Sequence, residues 1–79
     1  MVLCDKTGHL ISDTSWDELH NFAAKMGLKR EWFQEAGRLS HYDLTTSRAK
    51  KTAVNMGAKL VSSKQIVNTL NTLYMSDKK

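Results

Sequence analysis

The stretch HLISDTSWDELHNFAAKMG, residues 9–27, contains the pattern that decides the fold of this chain. A short β-type run, His9 to Ile11, leads into a cluster of hydroxyl residues, and an amphipathic helix follows. Ser15 and Glu18 have the spacing of a capping box, in which the serine caps a backbone N–H and the glutamate reaches back to the cap. Apolar residues recur at helical spacing up to Met26, and Gly27 stands where a glycine ends a helix. We therefore predict a strand followed directly by a helix.

The same pattern occurs twice more. Tyr42 to Leu44 leads into Thr45-Thr46-Ser47, with Thr45 as a plausible N-cap of a second helix that ends at Gly57. The run from Lys59 to Val61 is a third candidate strand, and Ser62-Ser63 begins the last helix. If the three units share one sheet, three helix N-termini gather at one edge. Helix N-termini attract anions through unpaired N–H groups and the helix dipole, so this pattern indicates a phosphate or carboxylate ligand.

The remaining segments complete the predicted fold. Residues 1–12 form a β-hairpin, with Gly8 in the left-handed position of its turn, and residues 28–39 form a turn of helix and a loop. The order of elements predicts an α/β or α+β fold, a small three- to four-stranded mixed sheet with three helices packed on it and the hairpin at one edge. The alternative is an all-α three-helix bundle, because short apolar runs are weak signs of a strand. The predicted core comprises Trp16, Leu19, Phe22, Tyr42, Leu44, Ala53, Ile66 and Leu70.

Length and composition limit the class of protein. The 79 residues suffice for one small domain, which we place at residues 1–75, and residues 76–79 form a basic tail that we expect to be disordered. A single cysteine, Cys4, excludes an internal disulfide, and no secretory signal is visible, so we expect a cytoplasmic protein. No apolar stretch approaches the roughly 20 residues of a membrane helix. The net charge of +4 favours acidic partners, either nucleic acid or an acidic protein surface.

Several segments together resemble a family of short bacterial and phage proteins whose function is unknown. The resemblance extends from His9 to about Leu70 and rests on motifs of the forms H-L-x-x-D, R-x-W-F-Q and H-Y-D-L, which begin at His9, Arg30 and His41. The family implies no activity. It does imply that one constellation contains His9, Asp13, Trp32, Gln34, His41, Tyr42 and Asp43.

A group of histidines and aspartates is the candidate catalytic site. His41 and Asp43 alternate, so both point to one face of a strand, while Tyr42 points to the other. With His9 and Asp13 from the neighbouring unit they could form a site for general base catalysis or for a divalent metal. The alternative is a structural role, in which His41 bonds a neighbouring carbonyl and Asp43 fixes the turn into the second helix. We favour this structural role. The chain has no recognisable metal motif, so we predict neither a metal nor a cofactor.

A second group of residues is suited to phosphate. A basic first turn opposes the helix dipole, so a bound anion would stabilise Arg48, Lys50 and Lys51 on the second helix, although such charges more often form a solvated face. The ring of Trp32, which follows Lys29 and Arg30, could stack on a base, although aromatic residues of a small domain more often lie in the core. The candidate ligand-binding residues are Thr45, Thr46, Ser47, Arg48, Lys50, Lys51, Ser62, Ser63, Trp32 and Gln34.

Three functions follow from these observations. The leading hypothesis is a non-enzymatic module that binds a phosphate-bearing ligand or an acidic protein surface. The second is a phosphodiesterase-like or other hydrolase, and the third is a small phage-type inhibitor that covers a larger protein. Within the binding class, the last two helices also resemble a helix-turn-helix that presents Gln65, Asn68 and Asn71 to base edges. An open site with both histidines would favour chemistry, whereas separated and bonded histidines would favour binding.

Overall fold

The computed structural model describes residues 1–37 and 39–75, the last three of these by their backbone alone. The described chain forms five strands, three helices and one turn of 3₁₀ helix at Arg30–Trp32. In chain order the strands and helices are β1 (Val2–Cys4), β2 (His9–Ser12), α1 (Trp16–Lys25), β3 (Phe33–Gln34), β4 (His41–Asp43), α2 (Ser47–Asn55), β5 (Lys59–Leu60) and α3 (Ser63–Met75).

The five strands form one mixed sheet in the order β3-β4-β2-β1-β5. The predicted fold of three helices on a small mixed sheet is confirmed, and the alternative of an all-α bundle is wrong. The additional strand is β3, where Phe33 pairs with Tyr42 inside the segment that we predicted as a helical turn and a loop. Two residues are too few to give a period of two in the sequence. The β1–β2 hairpin lies inside the sheet and not at its edge, because β4 and β5 pair with its two outer sides.

Strand direction decides where each helix begins. β2 runs antiparallel to both β1 and β4, and β5 runs parallel to β1, so β1, β4 and β5 all end at the same edge of the sheet. We call this the Asp5 edge. Helices α2 and α3 follow β4 and β5 and therefore begin there, whereas α1 follows β2 and begins at the opposite edge. The prediction that three helix N-termini meet is thus correct for α2 and α3 and wrong for α1.

Both faces of the sheet are covered. On one face, α1 and α2 pack on a core that includes Leu10, Leu19, Tyr42 and Ala53. On the other face, α3 covers a smaller cluster of Leu3, Ile11, Ile66 and Leu70. Six of the eight predicted core residues are buried, and Trp16 and Phe22 are partly buried against the core. The hairpin strands β1 and β2 supply the central core residues that the predicted set omitted, namely Val2, Leu3, Cys4, Leu10 and Ile11.

Hydroxyl side chains cap all three helices. The Ser15 hydroxyl accepts the Glu18 N–H at 3.1 Å, and the Ser62 hydroxyl accepts the Gln65 N–H at 3.1 Å. For α2 the cap is Thr46 and not the predicted Thr45, and its hydroxyl accepts the Ala49 N–H. The Glu18 carboxylate accepts bonds from the Ser12 hydroxyl and the Met1 amino group, so the predicted capping box of α1 forms only its serine half.

Two further expectations concern the helices and the tail. Helices α2 and α3 are separated by β5, so the helix-turn-helix interpretation is wrong, although Gln65 and Asn68 are exposed. In the part of the chain that the structure describes, no helix has the length and apolar character to cross a membrane. The predicted disordered tail, residues 76–79, lies outside the described residues.

Candidate functional site

A buried carboxylate, Asp5, forms the base of the candidate site. It follows β1 directly, is 1% exposed, and accepts five hydrogen bonds of 2.8–2.9 Å. The donors are the Thr7 hydroxyl, the Gly8 and His9 backbone N–H groups, the His9 imidazole and the Ser63 hydroxyl. One carboxylate thus joins the hairpin turn to the start of α3.

The local sequence explains why Asp5 is held so firmly. Gly8 has a φ of 101°, and the turn it permits directs successive N–H groups back to the Asp5 carboxylate. Burial raises the pKa of Asp5, but the bonds from His9, Thr7 and Ser63 outweigh burial and hold the pKa well below its usual range. Asp5 is therefore ionised, and it is the central residue that our sequence analysis missed. The D-x-x-G pattern of a turn was its only signal.

Asp5 fixes the orientation of His9. The Nδ1 atom of His9 lies 2.9 Å from an Asp5 carboxylate oxygen, and an ionised carboxylate only accepts hydrogen bonds, so Nδ1 carries the proton. In the neutral ring Nε2 then has a free lone pair. The His9 side chain is 39% exposed, so the ring is partly accessible to solvent.

Strand β4 brings His41 and Asp43 to the same place. Residue 9 is paired with residue 43 across β2 and β4, and His41 lies two residues earlier on the same face of β4. The rings of His9 and His41 meet edge to face, with centroids 4.8 Å apart. His41 places Nδ1 at 2.8 Å from the Leu39 carbonyl and Nε2 at 3.1 Å from Asp43 Oδ1.

His9, His41 and Asp43 form one cluster, which we call the His/Asp site. One ligand-type atom from each of the three lies within 4.8 Å of the others. In both histidines Nδ1 is hydrogen-bonded to a fixed acceptor, so Nε2 is the nitrogen available to bind a ligand. The expected bond from His41 to a neighbouring carbonyl is therefore present, but it orients the ring toward Asp43. Such an arrangement can accept a proton from water or hold a divalent cation.

Asp13 and Tyr42 lie away from this site. Asp13 follows β2 at the opposite edge of the sheet, where its carboxylate accepts a bond from the Met1 amino group at 2.7 Å. This grouping is wrong because His9 begins β2 and Asp13 follows its end, so the length of the strand separates the two residues. The Tyr42 side chain is buried in the core, and its hydroxyl lies 2.9 Å from Nδ1 of His20.

The candidate phosphate-binding residues divide into fixed and open groups. The Lys50 ammonium donates to the Lys6 carbonyl at 2.8 Å, and Ser63 donates to Asp5, so both are engaged in holding the hairpin turn. Thr46 and Ser62 are engaged as helix caps. The exposed members at the start of α2 are Thr45, Ser47, Arg48 and Lys51.

The last two candidates lie on and beside β3. Gln34 pairs with His41 across β3 and β4, so its side chain lies on the same face of the sheet as the His/Asp site. Trp32 is 47% exposed, and the Lys29 ammonium lies 5.8 Å from its ring centre. The Trp32 ring thus has a surface position and a cation beside it.

A cavity of about 370 Å³ opens beside the Asp5 edge, between α2 and the free side of β5. Its wall includes Cys4 and Val54 as well as Leu60, which is 54% exposed. Lys6, Lys50 and Lys51 complete part of its lining. The lining of the cavity therefore combines apolar side chains with three lysines.

Comparisons with known proteins bear on the family and not on the activity. No curated protein and no solved structure gives a match. The model of the family described as "Protein of unknown function (DUF4031)" matches residues 4–73, a range that includes Asp5 and the whole His/Asp site. Because the match covers most of its length, the chain belongs to the DUF4031 family, as the resemblance of its motifs indicated.

Proposed function

We propose that this domain is a small hydrolase with the His/Asp site as its reaction centre and a phosphate ester as its substrate. One observation carries the proposal: the buried Asp5 carboxylate holds Nδ1 of His9, and a ring nitrogen of His9 lies within 4.8 Å of ligand-type atoms of His41 and Asp43. The two histidines are neither separated nor buried, which favours chemistry over passive binding.

Hydrolysis requires an activated water molecule. The nitrogen lone pair of His9 can act on water either by taking its proton or by holding an ion that acidifies it. His41 and Asp43 lie within reach of the same water, and Asp43 is 44% exposed, so a substrate can approach from solvent. Each residue type therefore has a role in a single reaction centre.

The charge around the site favours a phosphate. Helix α2 begins at the Asp5 edge without an acidic residue in its first turn, whereas α1 has Asp17 and Glu18 there. Within the described part of the chain, Arg48 and Lys51 have no ion-pair partner. The bond from Lys50 to the hairpin turn keeps this basic helix start next to the turn that carries Asp5 and His9. A substrate phosphate would neutralise these positive charges.

The test measures turnover of bis(p-nitrophenyl) phosphate, p-nitrophenyl phosphate and a short oligonucleotide. His9→Ala and His41→Ala should each lower the rate by about 10²- to 10⁴-fold while circular dichroism stays unchanged. His20→Gln is the matched control, because this third histidine bonds Tyr42 and lies outside the site. Turnover of none of these esters by the wild type, or an undiminished rate in His9→Ala, would contradict the proposal.

A second candidate function is non-enzymatic binding of an acidic partner, either nucleic acid or protein. It is favoured by the cavity between α2 and β5, because a lining of apolar side chains and lysines suits an acidic segment with an apolar side chain. Arg48→Ala and Lys51→Ala should then weaken binding to all oligonucleotide sequences alike, and affinity should fall steeply with added salt. Binding unaffected by His9→Ala, with no hydrolysis, would favour this function over the first.

A further inference from the structure

The protonation of the two imidazoles is set by their neighbours. His9 has its Nδ1 proton directed to Asp5, and His41 has its Nδ1 proton directed to the Leu39 carbonyl. Histidines that bind metal ions usually donate one ring N–H to a carboxylate or carbonyl in this way, which fixes the other nitrogen as the ligand. Both histidines of the site meet this requirement, and each does so with a different acceptor.

The third group, Asp43, brings a negative charge to the site that either a proton on His41 Nε2 or a bound cation would balance. In neutral His41 the lone pair of Nε2 faces the Asp43 carboxylate at 3.1 Å, which is an unfavourable pairing of two acceptors. In the described chain, Asp43 has no lysine or arginine within ion-pair distance. A divalent ion between these atoms and His9 would compensate all three groups at once.

We infer that the His/Asp site binds one divalent transition-metal ion of the zinc type through Nε2 of His9, Nε2 of His41 and a carboxylate oxygen of Asp43. The inference rests on the proposed function, since it names the cofactor of the same centre. Two imidazoles and one carboxylate suit zinc and its neighbours in the transition series, whereas magnesium and calcium prefer oxygen ligands.

The separations within the site are close to those of a zinc centre. Ligands that surround a zinc ion tetrahedrally at about 2.0–2.1 Å lie roughly 3.4 Å from one another. The His41–Asp43 separation of 3.1 Å already matches this spacing, and the widest separation in the cluster is at most 4.8 Å. Rotation of the exposed Asp43 carboxylate or a small shift of the His9 ring can bring the more distant ligand atoms to this spacing. Three protein ligands leave one position open to solvent, as in catalytic zinc sites.

Asp5 acts on the ion through His9. Its carboxylate holds the His9 ring and makes it a stronger ligand, and Ser63 and the hairpin turn hold Asp5 in place. Asp5 is thus a positioning residue. Replacing it should weaken ion binding without removing any ligand.

The test is metal binding by the full chain, treated with EDTA, dialysed and titrated with Zn²⁺ in a calorimeter and with Co²⁺ by visible absorption. We expect one ion per chain and the intense absorption of tetrahedral Co²⁺. His9→Ala, His41→Ala and Asp43→Asn should each weaken binding more than Asp5→Asn, for which we expect a loss of about 10- to 100-fold. His20→Gln and Asp17→Asn, which replace a histidine and a carboxylate outside the site, should bind as the wild type does.

Failure of this inference is distinguishable from failure of the proposed function. Wild-type binding of Zn²⁺ no tighter than that of a His9→Ala/His41→Ala double variant would overturn the inference. Hydrolysis that persists with EDTA present would also overturn it, but would leave the proposed function intact. One tightly bound ion per chain that depends on His9, His41 and Asp43, in a protein with no turnover, would support the inference and contradict the hydrolase. Circular dichroism of every variant shows whether a loss of binding reflects unfolding, and the conservative Asp43→Asn variant tests the site with the least disturbance.

Discussion

At the scale of single residues, Asp5 organises more of the molecule than any apolar side chain of similar size. Its five hydrogen bonds connect the hairpin turn, the His/Asp site and the start of α3. A buried charge that loses its partners is costly, and buried donors that lose their acceptor are costly too. The same contacts that orient His9 therefore also stabilise the fold.

The Asp5→Ala variant should lose about 1.5–3 kcal/mol of unfolding free energy, because it removes the charged acceptor that five donors share. Urea denaturation at neutral pH measures this loss. Asp17→Ala, which removes an exposed carboxylate from the first turn of α1, should cost no more than about 1 kcal/mol. Equal losses in the two variants would show that Asp5 is not held as described.

The His20 imidazole should make stability depend on pH. Burial lowers its pKa from the ordinary value, and the positive charge of Arg30 lowers it further. The unfolded chain therefore takes up a proton at a higher pH than the folded chain does, so stability falls as pH drops below about 6.5. Denaturation midpoints between pH 7 and pH 5 should fall less in His20→Gln than in the wild type. An identical pH profile for both proteins would contradict this assignment.

Single residues of the site could be predicted only where their spacing was informative. The alternation of His41, Tyr42 and Asp43 correctly predicted which side chains share a face, because that depends on strand period alone. Asp13 was grouped wrongly, since two residues close in sequence can lie at opposite ends of a strand. Asp5 was missed because an aspartate ahead of a glycine turn is common and gives no indication of burial.

At the scale of elements, the hairpin turn depends on Gly8. A Cβ atom at this position would lie 2.3 Å from the Leu44 carbonyl oxygen, and the φ of 101° is unfavourable for other residues. Gly8→Ala should therefore destabilise the protein by more than about 2 kcal/mol, because the strain of the backbone and a clash with the Leu44 carbonyl add together. Gly57→Ala is the matched control, with a φ of 112° and open space around the added methyl group, and should cost only about 1–2 kcal/mol. Thermal melts that rank the two variants in the reverse order would contradict this account of the turn.

Helix α1 depends on one side chain at the centre of its buried face. Leu19 is 0% exposed and belongs to the larger core cluster. Leu19→Ala should cost about 2–5 kcal/mol, a large share of the stability of a small domain. The exposed Val67 on α3 provides the comparison, because Val67→Ala removes little buried surface. A melting temperature within a degree of the wild type for Leu19→Ala would show that α1 packs differently.

The helices could be predicted well from the sequence, and the shortest strand could not. Hydroxyl caps and closing glycines mark helix ends through local hydrogen bonds, so these signals are visible in a few residues. β3 forms only because Phe33 and Gln34 pair with Tyr42 and His41, which is a contact with a later part of the chain. No local pattern contains that information.

At the scale of the whole molecule, the fold class could be predicted but the position of the hairpin could not. The order of strands and helices indicated a mixed sheet, because each β–helix unit has its own local pattern. The central position of β2, with β1 and β4 antiparallel on either side, depends on pairing between distant segments. That topology brings His9 opposite Asp43 and separates both from Asp13. The site therefore becomes visible only when the sheet is assembled.

The central claim is that this sheet assembles His9, His41 and Asp43 into one site that holds a metal ion. A crystal structure of the wild-type chain grown with Zn²⁺, with anomalous data recorded at the zinc absorption edge, tests it most directly. We predict one anomalous peak about 2.0–2.2 Å from Nε2 of His9, Nε2 of His41 and a carboxylate oxygen of Asp43. A zinc peak on His20 or only at lattice contacts, or His9 and His41 rings that do not meet, would contradict the account.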